Sequence, residues 1–359
     1  MTTLSRALPG AAGLVLGYVA DQLLGDPRRW HPVAGFGQLG LALERRMYAD
    51  RRSAGVAYAG VLVGGAVATG VALERLTVRR PPLAVLVTAA ATWAVLGGRS
   101  LHREAAAVAG QLAADDLPAA RRQIRNLVGR DPAELTGDEI ARACVESVAE
   151  NTSDAVVAPL VWGAVAGLPG LLGYRAVNTL DAMVGHRSPR YRSFGWASAR
   201  LDDVANWVPA RLAGLLTVAG AGAVGGSPWE AWRTIRRDAG RHPSPNAGVV
   251  EAGFAGALGV RLGGRNVYEG QAEDRGTLGD GRRVTVGDIG PALTLATLVS
   301  AGSLAVAVAV RVGIAASGRW AGQRSAGRRW LGQRWDRQQH SAGQRSAGPR
   351  RHPRWQGRR

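Results

Sequence analysis

The chain has 359 residues, a formal charge of +18 and a mean hydropathy of −0.04. Its single cysteine, Cys144, excludes an intramolecular disulfide and any multi-cysteine metal site, and reads as a small buried filler. The charge is lopsided: residues 319–359 carry twelve arginines against one acid, Asp336, so +11 of the +18 lies there.

Hydrophobic runs recur at about 8–24, 54–73, 83–98, 155–173, 207–226 and 291–316. Several approach the roughly 20 residues that cross a bilayer core. The first continues into Asp21 and Asp26, unlike a cleavable signal. "AGVAYAGVLVGGAVATGVAL" and "PALTLATLVSAGSLAVAVAV" hold no charge, and their small residues suit close helix packing in lipid. The fourth run is interrupted by Gly167-Leu168-Pro169-Gly170. Residues 155–166 alone give about 18 Å of helix, too short to cross, and read as re-entrant or protein-buried. The expected fold is all-α: a polytopic membrane protein with about four to six embedded helices, polar helical loops and a basic C-terminal tail. The expected division is 1–316 for the membrane-embedded domain and 317–359 for the tail.

Polar regions at 99–154, 174–206 and 227–290 separate the runs. Thr136-Gly137-Asp138-Glu139 fits a capping box opening a helix to about Glu150. On that helix Glu139, Arg142, Glu146 and Glu150 share a face. An ion-pair face accounts for Glu139 and Arg142, leaving Glu146 and Glu150 without a second cation in register. Downstream, "ENTSDAVVAPLVW" sets Glu150, Asn151 and Asp154 at the lip of an apolar segment; capping of a new helix by residues 151–154 is the alternative use. In "DQLLGDPRRWHPVAGFG" Asp26 and His31 lie where a run ends, with Pro27, Trp30 and Pro32 as turn and interfacial anchors.

The densest cluster, 174–211, holds Asn178, Asp181, His186, Arg200, Asp202, Asp203, Asn206 and Arg211. Asp202 and Asn206 stand four apart on one helical face, a spacing that suits Mg²⁺ shared with phosphate oxygens. The arginines suit phosphate or carboxylate, although Arg187, Arg190 and Arg192 read better as positive-inside charges. "HPSPNAGVVEAGFAGALGVRLGG" places a Pro/Asn turn at Asn246 before Glu251 on an apolar helix. No P-loop, dinucleotide fingerprint or HExxH pair is present. The tail repeats "AGQRSAG" amid Trp320, Trp330, Trp335 and Trp355, and is expected to be a disordered extension that helps fix topology. Chemistry alone points to a membrane enzyme for anionic substrates, with a transporter as the alternative.

"LLGDPRRWHPV", "ESVAENTSDAVVAPLVW", "YRAVNTLDAMVGHR…FGWASARLDDVANWVPAR" and "HPSPNAGVVEAGFAGALGVRLGG" together resemble the CobD/CbiB family of cobalamin biosynthesis, over about residues 10–300. The resemblance implies a multi-pass synthase of the cell membrane with its active face in the cytoplasm. It implies an ATP-dependent amide-forming ligase that joins aminopropanol, or its O-phosphate, to the free propionate of adenosylcobyric acid. Implied ligands are ATP, Mg²⁺ and the corrinoid; implied surroundings are lipid and other cobalamin-assembly membrane enzymes, with no specific nucleic acid.

On that resemblance Glu150, Asp154 and Glu146 are the catalytic candidates, Asp202 and Asp203 the metal ligands, and Arg200 and Arg211 the phosphate ligands. His31 and His186 are assigned to the corrinoid edge or as an alternative base. Asp26, Asn151, Asn178, Asp181, Asn206, Asn246 and Glu251 complete the binding set. The competing readings are a Mg²⁺-dependent prenyl-type transferase, from "DDVAN", and a non-catalytic sensor or transporter. Six full crossings would split these clusters between two faces, unless both 155–173 and 207–226 turn back.

Overall fold

Prolines and caps set the helix starts. The computed structural model describes residues 3–26, 31–129, 131–186, 188–268, 271–314 and 316. The tail from 317, with Pro27, Trp30 and Arg187, lies outside them. The chain forms α1 (Thr3–Leu24), α2 (Pro32–Met47), α3 (Arg52–Thr77), α4 (Pro81–Val95), α5 (Gly98–Ala113) and α6 (Leu117–Ile124). Next come α7 (Gly137–Thr152), one π-helical turn (Ser153–Val157) and α8 (Ala158–Val184). After them stand α9 (Trp196–Ala205), α10 (Trp207–Gly220), α11 (Pro228–Asp238) and α12 (Ala247–Leu258). An antiparallel hairpin, β1 (Leu262–Tyr268) and β2 (Gln271–Leu278), precedes the last helix, α13 (Val286–Ile314).

Prolines occupy the first turn of α2, α4, α6 and α11, where the missing N–H costs nothing. The capping box at Thr136 forms as expected, Glu139 reaching back to the Thr136 amide at 2.9 Å. Five helical stretches are long and apolar enough to cross a membrane: Arg52–Thr77, Pro81–Ala113, Gly137–Val184, Trp207–Val224 and Val286–Ile314. The protein is therefore a helical, multi-pass membrane protein.

Close packing follows from small residues. Gly13 and Gly17 on α1 face Thr88 and Thr92 on α4, where a Cβ on either glycine would overlap the threonine. This four-residue spacing of glycines lets two helix backbones approach in lipid.

The Gly167 break is a reversal of the chain. Gly167 has φ 65° and ψ −144°, outside helical space, within the continuous assignment of α8. Tyr174 Oη sits 3.1 Å from the carbonyl of Asp154, twenty residues earlier. An unbroken helix would separate these residues by about 30 Å. Residues 155–166 therefore run in and 168–184 run back, as a re-entrant hairpin. Glu74 caps the second limb, its Oε1 accepting from Leu168 N at 3.0 Å. That limb lies antiparallel to α3: Gly70 meets Pro169, Gly173 meets Val67, and Leu62 and Tyr58 pack with Leu180 and Val184.

These contacts orient the bundle. One end, the tip, gathers Pro9, Glu74, Pro81, Leu168 and Arg311 around one cavity. At the other end, the base, Asp21 accepts from the amide of Arg99 at 3.3 Å, supplying the helix cap that Gly97 cannot. α13 starts in the basal core with Ile289 and Leu295 and reaches the tip, where Arg311 donates to Ala164 O at 3.4 Å. α10 runs antiparallel to α13 and away from the tip, since Leu216 meets Gly302 while Gly220 meets Leu295 and Leu298. Asn246, beyond it, donates to the carbonyl of Asp203, before it, at 2.8 Å. Residues 98–154, 185–206 and 227–290 thus lie on the base side: 155–173 turns back as expected, while 207–226 does not turn back but runs toward the base.

Candidate functional site

Asp154 owes its position to a backbone irregularity with a readable cause. Pro159 has no N–H to offer Ala155 O, its partner in an α-helix. That carbonyl instead accepts from Gly97 N at 3.2 Å, and the backbone widens to a π-turn in which Ala158 N bonds Ser153 O. Such turns re-aim side chains and recur at functional sites. Asn151 and Thr152 donate back to Ser147 O (2.9 Å) and Val148 O (2.6 Å). They do not cap a new helix, because the helical path runs on from α7 directly into the π-turn.

Around this turn three other segments converge. Tyr174 Oη is 2.8 Å from Asn206 Oδ1, and Asn206 Nδ2 donates to Asp202 Oδ2 at 2.9 Å. Asn178 also hydrogen-bonds Asp202. The charge of Asp154 is felt together with those of Asp202, Glu150 and Asp181, and is opposed by Arg175. Asp181 in turn faces Asp203 and Glu150. Burial, then the neighbouring Asp181, lifts the Asp202 carboxyl to about 7 against the hydrogen bonds from Asn206 and Asn178. Its Oδ1 is buried and has no hydrogen-bond partner.

Asp203 turns outward to Arg200, at 3.2 Å. Its carbonyl holds Asn246, whose Oδ1 accepts from Arg211 at 2.8 Å, and the Arg211 guanidinium stacks 4.6 Å over Trp207. Asp26 reaches the site through the charge of Arg175. His31 stands 4.0 Å from Asp26, while its Nδ1 accepts from Val33 N and caps α2. His186 is exposed beyond the end of α8, apart from these contacts.

A second wing lies under the hairpin. Arg275 of β2 faces both Glu150 and His242. His242 Nδ1 accepts from Ser244 N at 3.0 Å, so the ring proton sits on Nε2, 3.5 Å from the fully buried Glu251. Burial, then the Arg275 charge, pushes His242 down to about 4, and the ring is neutral at pH 7.

Glu146 has a defined partner set: it accepts from Gly263 N at 2.8 Å and pairs with Arg142 at 3.8 Å, while Arg142 also donates to Gly263 O. Arg142 therefore pairs with Glu146, while Glu139 is committed to the capping box. This corrects the expected ion-pair face in two respects, since Glu150 also has a cation nearby in Arg275.

Of the expected residues, Glu150, Asp154, Asn178, Asp181, Asp202, Asp203 and Asn206 come together, with Asn246 and Arg211 at their edge. Glu146, Asn151, His31 and Glu251 are tied to local structure. Sequence reasoning passed over Tyr174, Arg175, His242 and Arg275. The spacing 174, 178, 181 marks one helical face and is the signal that would have found Tyr174.

Among the described residues no three His, Cys, Asp or Glu side chains gather closely enough to cage a metal ion. Mg²⁺ needs no such cage: it binds through one or two carboxylates, waters and substrate phosphates. Asp202, with its uncommitted Oδ1, fits that requirement, and Asp203 stands next to it on the helix.

The family model described as CobD/Cbib protein matches residues 14–296. A cobalamin biosynthesis protein CobD of Mycobacterium tuberculosis is 54% identical over 298 residues, covering 83% of this chain and 95% of its own. Proteins of the same name from Geobacter metallireducens and Chromobacterium violaceum are 48% and 43% identical, covering 72% and 83% of this chain and 83% and 96% of theirs. No solved structure matches the chain. The chain belongs to the CobD/CbiB family, and is a multi-pass membrane protein of cobalamin biosynthesis.

Proposed function

We propose that the protein forms an amide between aminopropanol, free or as its O-phosphate, and the free propionate carboxylate of adenosylcobyric acid, at the expense of ATP. The observation that carries this reading is the convergence of Glu150, Asp154, Asp181 and Asp202 at the base of the bundle. The reaction needs two things from a protein: a place for phosphate with its cation, and a base for the attacking amine. Asp202, with Asp203 beside it, would hold Mg²⁺, which would offset phosphate charge when ATP is bound. Arg200 and Arg211, at the rim, would take phosphate oxygens. Asp154 and Glu150, crowded by like charges, are placed to accept the amine proton.

Tyr174 and Asn206 lock the carboxylates in place through the 2.8 Å and 2.9 Å bonds that run from Tyr174 to Asp202. Neutral His242 lies 3.5 Å from Glu251 and shapes the wing under the hairpin. ATP supply requires the base to face the cytoplasm, in the cell membrane, with lipid around the bundle and other cobalamin-assembly enzymes as neighbours.

Deleting the gene tests the assignment. Cobyric acid should accumulate, and supplied cobinamide should restore cobalamin. Cobalamin loss that cobinamide fails to rescue would overturn it.

A further inference from the structure

The site poses an electrostatic problem that its acids do not solve. Glu150, Asp154, Asp181 and Asp202 gather where, on the function proposed above, a substrate carboxylate must come to react. An approaching carboxylate is repelled unless a cation meets it. Arg142 is engaged with Glu146 and Gly263, Arg200 with Asp203, and Arg211 with Asn246 and Trp207. Arg275 belongs to the other wing, facing Glu150 and His242.

Arg175 differs. It follows Tyr174 on the returning limb of the re-entrant hairpin, its charge faces Asp154 and Asp26, and its Nε is buried without a hydrogen-bond partner. A buried, unpaired guanidinium N–H is costly to keep. A guanidinium also offers Nε and a terminal nitrogen as a planar fork that matches a carboxylate, which a lysine cannot copy.

We infer that Arg175 is the anchor of the substrate carboxylate, gripping it side-on through Nε beside Asp154. The propionate is thereby selected as the free acid and held against the group that deprotonates the amine. This rests on the proposed function and adds a residue that discriminates between acid and ester forms of the substrate.

Equilibrium binding of cobyric acid and of its propionate monomethyl ester to the detergent-solubilised full chain tests this. Wild type should bind the acid about 10- to 100-fold more tightly, the range of a charge-assisted pair. Arg175→Gln should bind both forms alike, at the wild-type affinity for the ester, and Arg175→Lys, which keeps the charge without the planar fork, should show a reduced preference. The lysine variant serves if the glutamine variant does not insert. Persistence of the full wild-type preference for acid in either folded variant overturns the role of Arg175 and leaves the proposed function standing. If wild type binds neither form, the proposed function falls, and this inference with it.

Discussion

Two of the carboxylates, Glu146 of α7 and Asp202 of α9, have come to different ends. Glu146 is buried under the hairpin and holds the amide of Gly263. Glu146→Ala should therefore cost about 1–3 kcal/mol, the penalty of stranding a buried donor. Thermal unfolding in detergent would show this as a lowered midpoint, and an unchanged midpoint would contradict it. Asp202 carries the opposite signature. Burial and Asp181 raise its carboxyl to about 7, so the fold favours the protonated form. That stabilisation is whole below the ordinary carboxylate range near 4 and is lost as pH rises through 7. In the absence of added Mg²⁺, Asp202→Asn should match wild type at pH 5 and melt higher at pH 8, while losing turnover. A variant that melts no higher at pH 8 would contradict the assignment. Wild-type turnover should rise as pH passes 7, because the carboxylate is the form that binds a cation.

At the scale of elements, the re-entrant hairpin depends on one residue. Gly167 has a positive φ, and a Cβ there would overlap the Glu74 carboxylate that caps Leu168. Gly167→Ala should lower stability by about 1–3 kcal/mol from backbone strain alone, and more from the lost cap. Gly64→Ala on α3, whose Cβ would meet open space, should not. Equal melting of the two variants would argue against the reversal.

Much of this level was legible in the sequence. The Thr136 capping box, the Gly-Leu-Pro-Gly break and the Asp202–Asn206 spacing all depend on neighbours within a few residues, and all are found. The hairpin carrying Arg275 was not legible, because its glycine-rich strands lack an alternating pattern. The π-turn was not either: it needs Pro159 together with Gly97, some sixty positions earlier. Tyr174 and Arg175 were passed over for a related reason. Their importance comes from contacts with Asp154 and Asn206 that exist only once the chain has doubled back.

For the whole molecule, the fold sorts the chain into two ends. The α3–α4 turn lies at the tip, while the α5–α6 turn and the segment after α11 lie at the base. Cys144 is buried and is the only cysteine, so single-cysteine variants in a Cys144→Ser background can be mapped cleanly. Arg80→Cys should react with an impermeant thiol reagent from one side of the membrane, and Asp115→Cys and Gly240→Cys from the other. Labelling of all three from one side would contradict the two-ended arrangement.

The most direct measurement is product formation by the purified chain in lipid, supplied with adenosylcobyric acid, aminopropanol phosphate, ATP and Mg²⁺. Wild type should yield adenosylcobinamide phosphate with ATP consumed, and Asp154→Asn should be slower by about 100-fold or more. Absence of product from wild type, or undiminished turnover by the folded Asp154→Asn protein, would contradict the proposed chemistry at the base of the bundle.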